Sequence, residues 1–448
     1  AYTILFLLLI LVAAATWIIP AGSYDYVDGV PVAGTYHTVE QNPQGVGDVL
    51  KAAFSGFYDA VDVCIFILMV GGFLGVVMKT GAVDAGVGNV IRLLGGREKW
   101  LIPILMLLFG LGGTTYGMWE ETMAFYPLLI PVFLAAGYDA VVGISVILLG
   151  AGAGVIASTV NPFATGIAAG FAGVSLGEGI VLRLLEWVAF EAAAIWFVMA
   201  YAAKVKKNPS KSVVGVGAGK IQVSMDQQVP FTAKRKVIMA LFTLTFLIMV
   251  YAVVPFDEMG LSLPALGWWF PELSALFLVA GVVIGLIDRM SEEELVETYV
   301  AGCADLLGVA FIIGISRGIT VLMNDGAITD TVLHWGEQAL SGAGAISFTL
   351  LVFALYLPLT ILIPSSSGLA TLSIPIVAPL GKFAGVGGDL VVTAFQSASG
   401  LVNIITPTAA VVMGALALGH VPYDRWVKYV WKLILWFLLL ALAFLVAG

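Results

Sequence analysis

The sequence predicts an all-α integral membrane protein built from inverted repeats, with two re-entrant hairpins and two broken transmembrane helices. Three observations carry this. The 448 residues are 60% hydrophobic and only 11% charged, with a mean hydropathy of +1.04, far too little charge to cover a soluble surface. Apolar runs of about 20 residues recur, the length that crosses a hydrocarbon core of about 30 Å as a helix. Two further apolar segments are each split by a Gly/Ser/Thr-rich centre into short halves, and each precedes a run interrupted by proline.

Taken in order, spanning helices are expected at roughly 3–20, 57–79, 139–170, 182–203, 237–255, 272–288, 300–323, 389–419 and 426–447. The first run, "AYTILFLLLILVAAATWIIPAG", lacks the basic start of a signal peptide and carries Trp17 where an interfacial aromatic sits. The split segments, about 100–136 and 346–381, read as re-entrant hairpins, with neither half long enough to cross alone. Irregular backbone at membrane depth is tolerated only where protein buries it or it lines a wet cavity.

Basic residues test this threading. Lys79, Arg92, Arg97, Lys99, Lys204, Lys206, Lys207, Lys211, Lys220, Lys234, Arg235, Lys236, Arg289, Arg425, Lys428 and Lys432 fall at connections on one side. The opposite connections, 21–50, 171–181, 256–271 and 324–345, carry instead Asp25, Asp28, Glu40, Glu178, Asp257 and Glu258. The first side is then cytoplasmic, with 204–236 a polar linker between halves, in an inner (plasma) membrane. A net charge of −9 argues against a nucleic-acid partner; lipid and a small-molecule substrate are the expected partners. Cys64 and Cys303 lie in apolar runs and read as buried reduced thiols.

The hairpins repeat each other. Both exit through Pro-x-x-x-Pro, at Pro127 and Pro131 and at Pro375 and Pro379. Each is followed by an interrupted run, "ASTVNPFATG" or "VNIITPTAAV". Proline cannot donate to the helix ladder and clashes with the preceding turn, so Asn161-Pro162 and Thr406-Pro407 mark unwound places. The threading brings one hairpin in from each side, which inverts the repeats. Paired discontinuous helices of this kind hold substrate and coupling ions near the midplane.

At these residues the chain resembles the YfcC-type branch of the C4-dicarboxylate anaerobic carrier (DcuC-like) family, within the ion-transporter superfamily. The likeness covers essentially the whole chain, through "IIPAGSYD", "EQNPQGVGDV", "GGFLGVVMKTGAVDAG", "GTTYGMWEETMAF", "LLGAGAGVIASTVNPFATGIAAG", "IPSSSGLATL" and "FQSASGLVNIITPT". It implies an elevator-type carrier with a scaffold and a transport domain, sodium- or proton-coupled, moving carboxylates or amino acids. Branch members are often called basic amino acid antiporters, others dicarboxylate carriers, and a homodimer is implied. Other members commonly have an acidic residue at Ser399, and Ser-Gly-Ser where this chain has Ser365-Ser366-Ser367. The implied division is scaffold at 1–99, 182–236 (including the linker) and 237–299, an Arg317-bearing helix with an outer loop at 300–345, and a C-terminal helix at 420–448. The transport domain takes 100–181 and 346–419.

Site candidates follow from polar residues in apolar surroundings. Glu120 and Glu121 sit side by side within the first hairpin. One carboxylate at a helix N-terminus returns about 0.3–1 kcal/mol, less than the several kcal/mol an acid costs at membrane depth. At least one is therefore expected to handle a cation, a proton or a substrate ammonium, the other a pairing partner. Trp119 beside them stacks on a cation or fills the tip. Thr114, Thr115, Gly117, Ser158, Thr159, Asn161, Ser365, Ser366, Ser367, Asn403, Thr406 and Thr408 cluster at tips and breaks, offering oxygens to Na+ or substrate. They equally satisfy backbone groups that the breaks expose. Gln396 and Ser399 precede the second break and are expected to face the cavity as substrate-binding residues.

Arg317 reads as the only basic residue well inside a span, pairing with Glu121 or Asp305 or binding a substrate carboxylate. Glu186, Glu191 and Asp305 are read as structural partners, with proton relay the lesser alternative. His37, His334 and His420 lie in connections without metal-ligand spacing, so no metal beyond Na+ and no other cofactor is expected. "GAGAGV" at 150–155 lies in a span, where glycine permits close packing. No nucleophile–His–acid set, P-loop or ring of filter residues is present, which argues against an enzyme, a nucleotide-driven pump and a channel. The expected function is secondary transport of a small charged metabolite, most simply a basic amino acid such as arginine or ornithine, coupled to Na+ or H+ or by exchange. A C4-dicarboxylate is the alternative.

Overall fold

The apolar runs fold as helix almost throughout, with seventeen α-helices among the described residues. The computed structural model describes residues 2–27, 30–83, 85–86, 97–115, 117–175, 177–215, 230–253, 263–268 and 270–448. Arg92, Lys220, Asp28, Asp257, Glu258 and residues 216–229 of the expected linker lie outside them.

The helices are α1 Tyr2–Ala15, α2 Val46–Asp59, α3 Val61–Lys79, α4 Leu101–Thr115, α5 Tyr126–Ala135, α6 Ala140–Ile156, α7 Ile167–Ala172, α8 Ile180–Lys207 and α9 Ala233–Val253. They continue as α10 Phe270–Asp288, α11 Glu292–Asp325, α12 Thr329–Leu340, α13 Ala345–Leu362, α14 Ser366–Phe383, α15 Gly388–Asn403, α16 Ala410–Leu418 and α17 Tyr423–Ala447. By length and composition, α3, α10, α11, α13 and α17 are able to cross a membrane. Of the other expected spans, α1 and α6 are shorter apolar helices and the 389–419 run is broken between α15 and α16.

Both proline-marked breaks occur. After α6 the chain leaves the helix at Ala157 and re-enters through a wide turn at Pro162–Gly166 before α7. After α15 it is irregular from Ile404 to Ala409, where α16 starts. The second split segment differs from expectation. Its first half, α13, runs through Pro358 without a break and is long and apolar enough to cross alone. Two helices also lie in stretches expected to be connections, α2 and α12. Both are amphipathic, so neither stands out as an apolar run.

Packing forms two helix groups. In one, α11 lies along α1, α2 and α3, with α10 against α3 and α9 against α10. The α3–α11 crossing is backbone on backbone: a Cβ added at Gly71 would sit 2.5 Å from the Gly302 carbonyl oxygen. In the other group α4 packs on α6, α13 on α15 and α6 on α15, with α8 and α17 alongside. The short antiparallel pairs Gly22–Ser23 with His37–Thr38, and Tyr26–Val27 with Val30–Pro31, shape a loop after α1.

That loop is latched to α12. Asp330 accepts from the Tyr24 backbone N–H at 3.0 Å and the Tyr26 hydroxyl at 2.7 Å, and Glu337 accepts from the Tyr24 hydroxyl at 2.8 Å. Burial, and then the Glu337 carboxylate, push the Tyr24 phenol far above its ordinary pKa, which keeps it a neutral donor. Tyr36 stacks on His334 at 4.0 Å between ring centroids. Asp330→Ala leaves the Tyr24 amide without its acceptor, a loss of about 1–3 kcal/mol. We expect faster limited proteolysis of the loop and a lower melting midpoint in detergent; unchanged cleavage would mean the latch does not hold it.

Candidate functional site

The first tip follows from its sequence. Gly117 adopts φ +78°, a left-handed conformation that glycine takes without penalty. A Cβ there would lie 2.5 Å from the Asn161 amide nitrogen, so the tip touches the first break. The chain then enters a tight turn at Glu120–Phe125 that leads into α5. Glu121 is 5% exposed, and one of its oxygens accepts from the Trp119 backbone N–H at 3.1 Å. Both adjacent acids line the cavity, and Glu121 in addition secures the turn through the Trp119 amide.

Thr114 and Thr159 stitch the tip to the break. Thr114 donates to the Ala157 carbonyl at 2.8 Å, and the Thr114 carbonyl accepts from the Thr159 amide and hydroxyl, both at 2.9 Å. Ser158, fully buried beside them, has no hydrogen-bond partner for its hydroxyl among the described residues. Asn161 accepts from the Ala164 amide at 3.3 Å and the Gly166 amide at 2.7 Å, closing the wide turn.

The second half is built from other means to a similar end. Ser365 caps α14, its hydroxyl accepting from the Gly368 amide at 3.2 Å. At the second break the Thr406 and Thr408 hydroxyls share a hydrogen bond of 2.9 Å. The freed carbonyls of Ile404 and Ile405 accept from Trp426 Nε1 at 3.2 Å and the Tyr423 hydroxyl at 2.8 Å, both on α17.

These tips and breaks surround one cavity of about 140 Å³. Of the expected site residues it brings together Gly117, Trp119, Glu120, Glu121, Asn161, Arg317, Ser365, Ser366, Ser367, Asn403 and Thr408. The N-terminal ends of α14 and α16 open on it at Ser366 and Ala410, and such ends favour negative charge. The wall therefore carries two adjacent acids at one place and an arginine with two helix N-termini at others. Thr406 does not line it and bonds Thr408 instead. Thr114, Thr159 and Ser158 sit behind the wall, and Thr115 bonds its own helix at Leu111. Gln396 donates to the Val155 carbonyl at 2.7 Å, joining the two broken helices, and Ser399 is fully buried outside the lining.

Two expectations about charge are corrected. Arg317 pairs with Asp59, Nε to Oδ2 at 3.7 Å, rather than with Glu121 or Asp305. Asp305 lines a separate cavity by α3 and α5, several turns away on α11. Asp59 ends α2, and nothing in the sequence shows that α2 lies along α11 at Arg317. A buried arginine that the sequence did not mark is Arg183, near the start of α8, 1% exposed beside Glu186 and Asp389, whereas Arg317 is part-buried. Glu186 accepts from Ser397 at 2.8 Å, as a structural partner does, whereas neither oxygen of Glu191 has a hydrogen bond among the described residues. Ser316 and Phe270 line the cavity without any sequence signal that marks them.

Helical hairpins and broken helices that meet around a charged cavity define a multi-pass membrane transporter. The chain belongs to the C4-dicarboxylate anaerobic carrier (DcuC) family, whose sequence profile matches residues 1–448. A Haemophilus influenzae relative bearing only the name "Uncharacterized protein" is 35% identical over 97% of this chain and 93% of its own length. An Escherichia coli relative, named "Putative basic amino acid antiporter YfcC", is 31% identical over 95% of this chain and 91% of its own. The Alcanivorax borkumensis YdaH transporter aligns over 99% of this chain and 97% of its own, at 14% identity and a TM-score of 0.45. Neisseria gonorrhoeae MtrF, presented among antimetabolite efflux pumps, aligns over 99% and 94% at 17% identity and the same TM-score. Both likenesses are too distant to transfer a residue or a cargo.

Proposed function

We propose that the chain is a secondary active transporter of a small zwitterionic or cationic metabolite, most simply a basic amino acid. The observation that carries this is the mixed wall of the cavity: Glu120 on one hairpin tip, Arg317 and the N-termini of α14 and α16 elsewhere on it. A substrate carboxylate is held by the helix ends and the guanidinium. Its ammonium or side-chain cation is held by Glu120. The name of the Escherichia coli relative agrees with this choice.

The coupling ion, Na+ or H+, is assigned to the first break, where the orphaned Ser158 hydroxyl lies among Thr114, Thr159 and Asn161. Hydroxyl and carbonyl oxygens suit Na+, and broken helices free carbonyls for it. In this reading the hairpins and broken helices move as one body against the α3–α11 group, as an elevator, and a homodimer holds the fixed group. A C4-dicarboxylate is the second reading. It is favoured by the two helix N-termini beside Arg317 and by the family's description.

Melting of the purified protein in detergent, with metabolites and with or without Na+, decides between them. A ligand at 100 times its Kd adds about 2.7 kcal/mol, enough to shift the midpoint visibly. Stabilisation by arginine, ornithine or lysine supports the amino acid reading. Stabilisation by succinate, fumarate or malate alone assigns the cavity to dicarboxylates, and no shift with any of them rejects both.

A further inference from the structure

A second cavity, of about 610 Å³, lies on the outer face of the molecule between α8 and α17, apart from the charged cavity. Its walls are Trp196, Phe197, Leu433 and Trp436, and its rim carries Lys204, Lys211, Lys428 and Lys432. We propose that this groove binds an anionic phospholipid, with the phosphate at the lysines and an acyl chain between the tryptophans.

Three observations select that occupant. The groove is polarised along its length. About 12 Å of helix separates Trp196 from Lys204 on α8. On α17 the order is the opposite one in sequence, Lys428 and Lys432 and then Trp436. Because both helices line one groove with their lysines toward the segment after α8, charge gathers at one end and apolar surface at the other. That is the polarity of a phospholipid.

The apolar end faces outward. Trp196 and Trp436 are 66% and 61% exposed, in a face continued by Val188 and Leu439. On α17, a helix able to cross a membrane, this is a lipid-facing surface, and α8 alongside continues it.

The charged end is built and largely uncommitted. Asp139 accepts from the Tyr201 and Ser212 hydroxyls, each at 2.6 Å, and Arg425 donates to the Val213 carbonyl at 3.4 Å. These bonds fix the segment that carries Lys211 over the groove. Among the described residues no ion pair engages Lys204, Lys211 or Lys432, and Lys428 meets only the exposed Asp424 at 3.6 Å. The net excess of positive charge, beside apolar walls, fits a lipid phosphate.

The test uses the full chain, purified and exchanged into mixed micelles containing phosphatidylglycerol or phosphatidylcholine, with retained lipid counted by native mass spectrometry. Phosphatidylglycerol is expected to be retained preferentially. Each lysine contributes roughly fivefold, so Lys204→Gln/Lys428→Gln/Lys432→Gln should weaken retention on the order of 100-fold. The matching Lys→Arg triple variant should keep it. Trp196→Ala/Trp436→Ala should weaken retention of the lipid through the chain end.

Equal retention by the parent and the Lys→Gln variant overturns the proposal, as does equal retention of the two lipids. Inorganic phosphate that displaces the lipid completely at millimolar concentration also overturns it, because the chain then adds nothing. A Trp variant that changes oligomeric mass with no loss of lipid identifies a second copy of the chain as the occupant and overturns it as well.

Discussion

Glu120→Gln is expected to reduce counterflow in proteoliposomes at least thirtyfold, while the protein folds and elutes as the parent does. The two acids at the first tip are not equivalent. Both border the cavity, but Glu121 is also held by the Trp119 amide inside the turn. Removing the charged partner of a buried, hydrogen-bonded cation costs about 2–5 kcal/mol. The loss should therefore appear in substrate affinity and flux, with little change in the melting midpoint without ligand. Glu121→Gln should do the reverse, lowering the midpoint first because the turn loses a charged acceptor worth about 1.5–3 kcal/mol. Full flux in Glu120→Gln at saturating and subsaturating substrate would remove Glu120 from the binding site.

The second large effect is expected at a residue with no polar chemistry. Gly117→Val forces a β-branched side chain into a left-handed backbone and against the Asn161 amide. The conformation alone costs a residue with a Cβ about 1–2 kcal/mol, and relief requires the tip and the break to move apart. Ligand-dependent stabilisation should fall roughly tenfold or more in apparent affinity. The global fold should persist, since the strain is confined to a tip. Ligand shifts equal to those of the parent would show that the tip and break need not touch for binding.

Much of this arrangement was legible in the chain, for physical reasons that differ by element. Prolines at 162 and 407 remove a helix donor whatever surrounds them, so both breaks could be located from sequence. Acids and hydroxyls are expensive in apolar runs, so Glu120, Asn161, Ser366 and Asn403 stood out before they were found around one cavity.

What was not legible depends on how distant segments meet. The partner of Arg317 is Asp59, on a helix whose amphipathic sequence resembles a loop connection. Arg183 stood at the edge of an apolar run, and only the meeting of Glu186 with Ser397 and of Arg183 with Asp389, both on α15, shows it to be buried there. Ser316 and Phe270 belong to the cavity because α10 and α11 border it, not because their residue types demand it. Helix length was misjudged at α13: the half before the Ser-rich centre was read as too short to cross alone, yet it is helical through all of Ala345–Leu362, Pro358 included.

The contact of α3 with α11 through Gly71 and Gly302 leaves no side chain between the two main chains. A joint cushioned by leucines can give a little when pressed, since a rotamer flips and the gap refills. Two bare backbones have nothing to flip. The pair is a rigid beam, and a deep mutational scan should find its glycines intolerant even of alanine while leucines a turn away accept methionine. If the two helix groups move against each other, the motion is expected at contacts that keep side chains between the main chains, not within this pair.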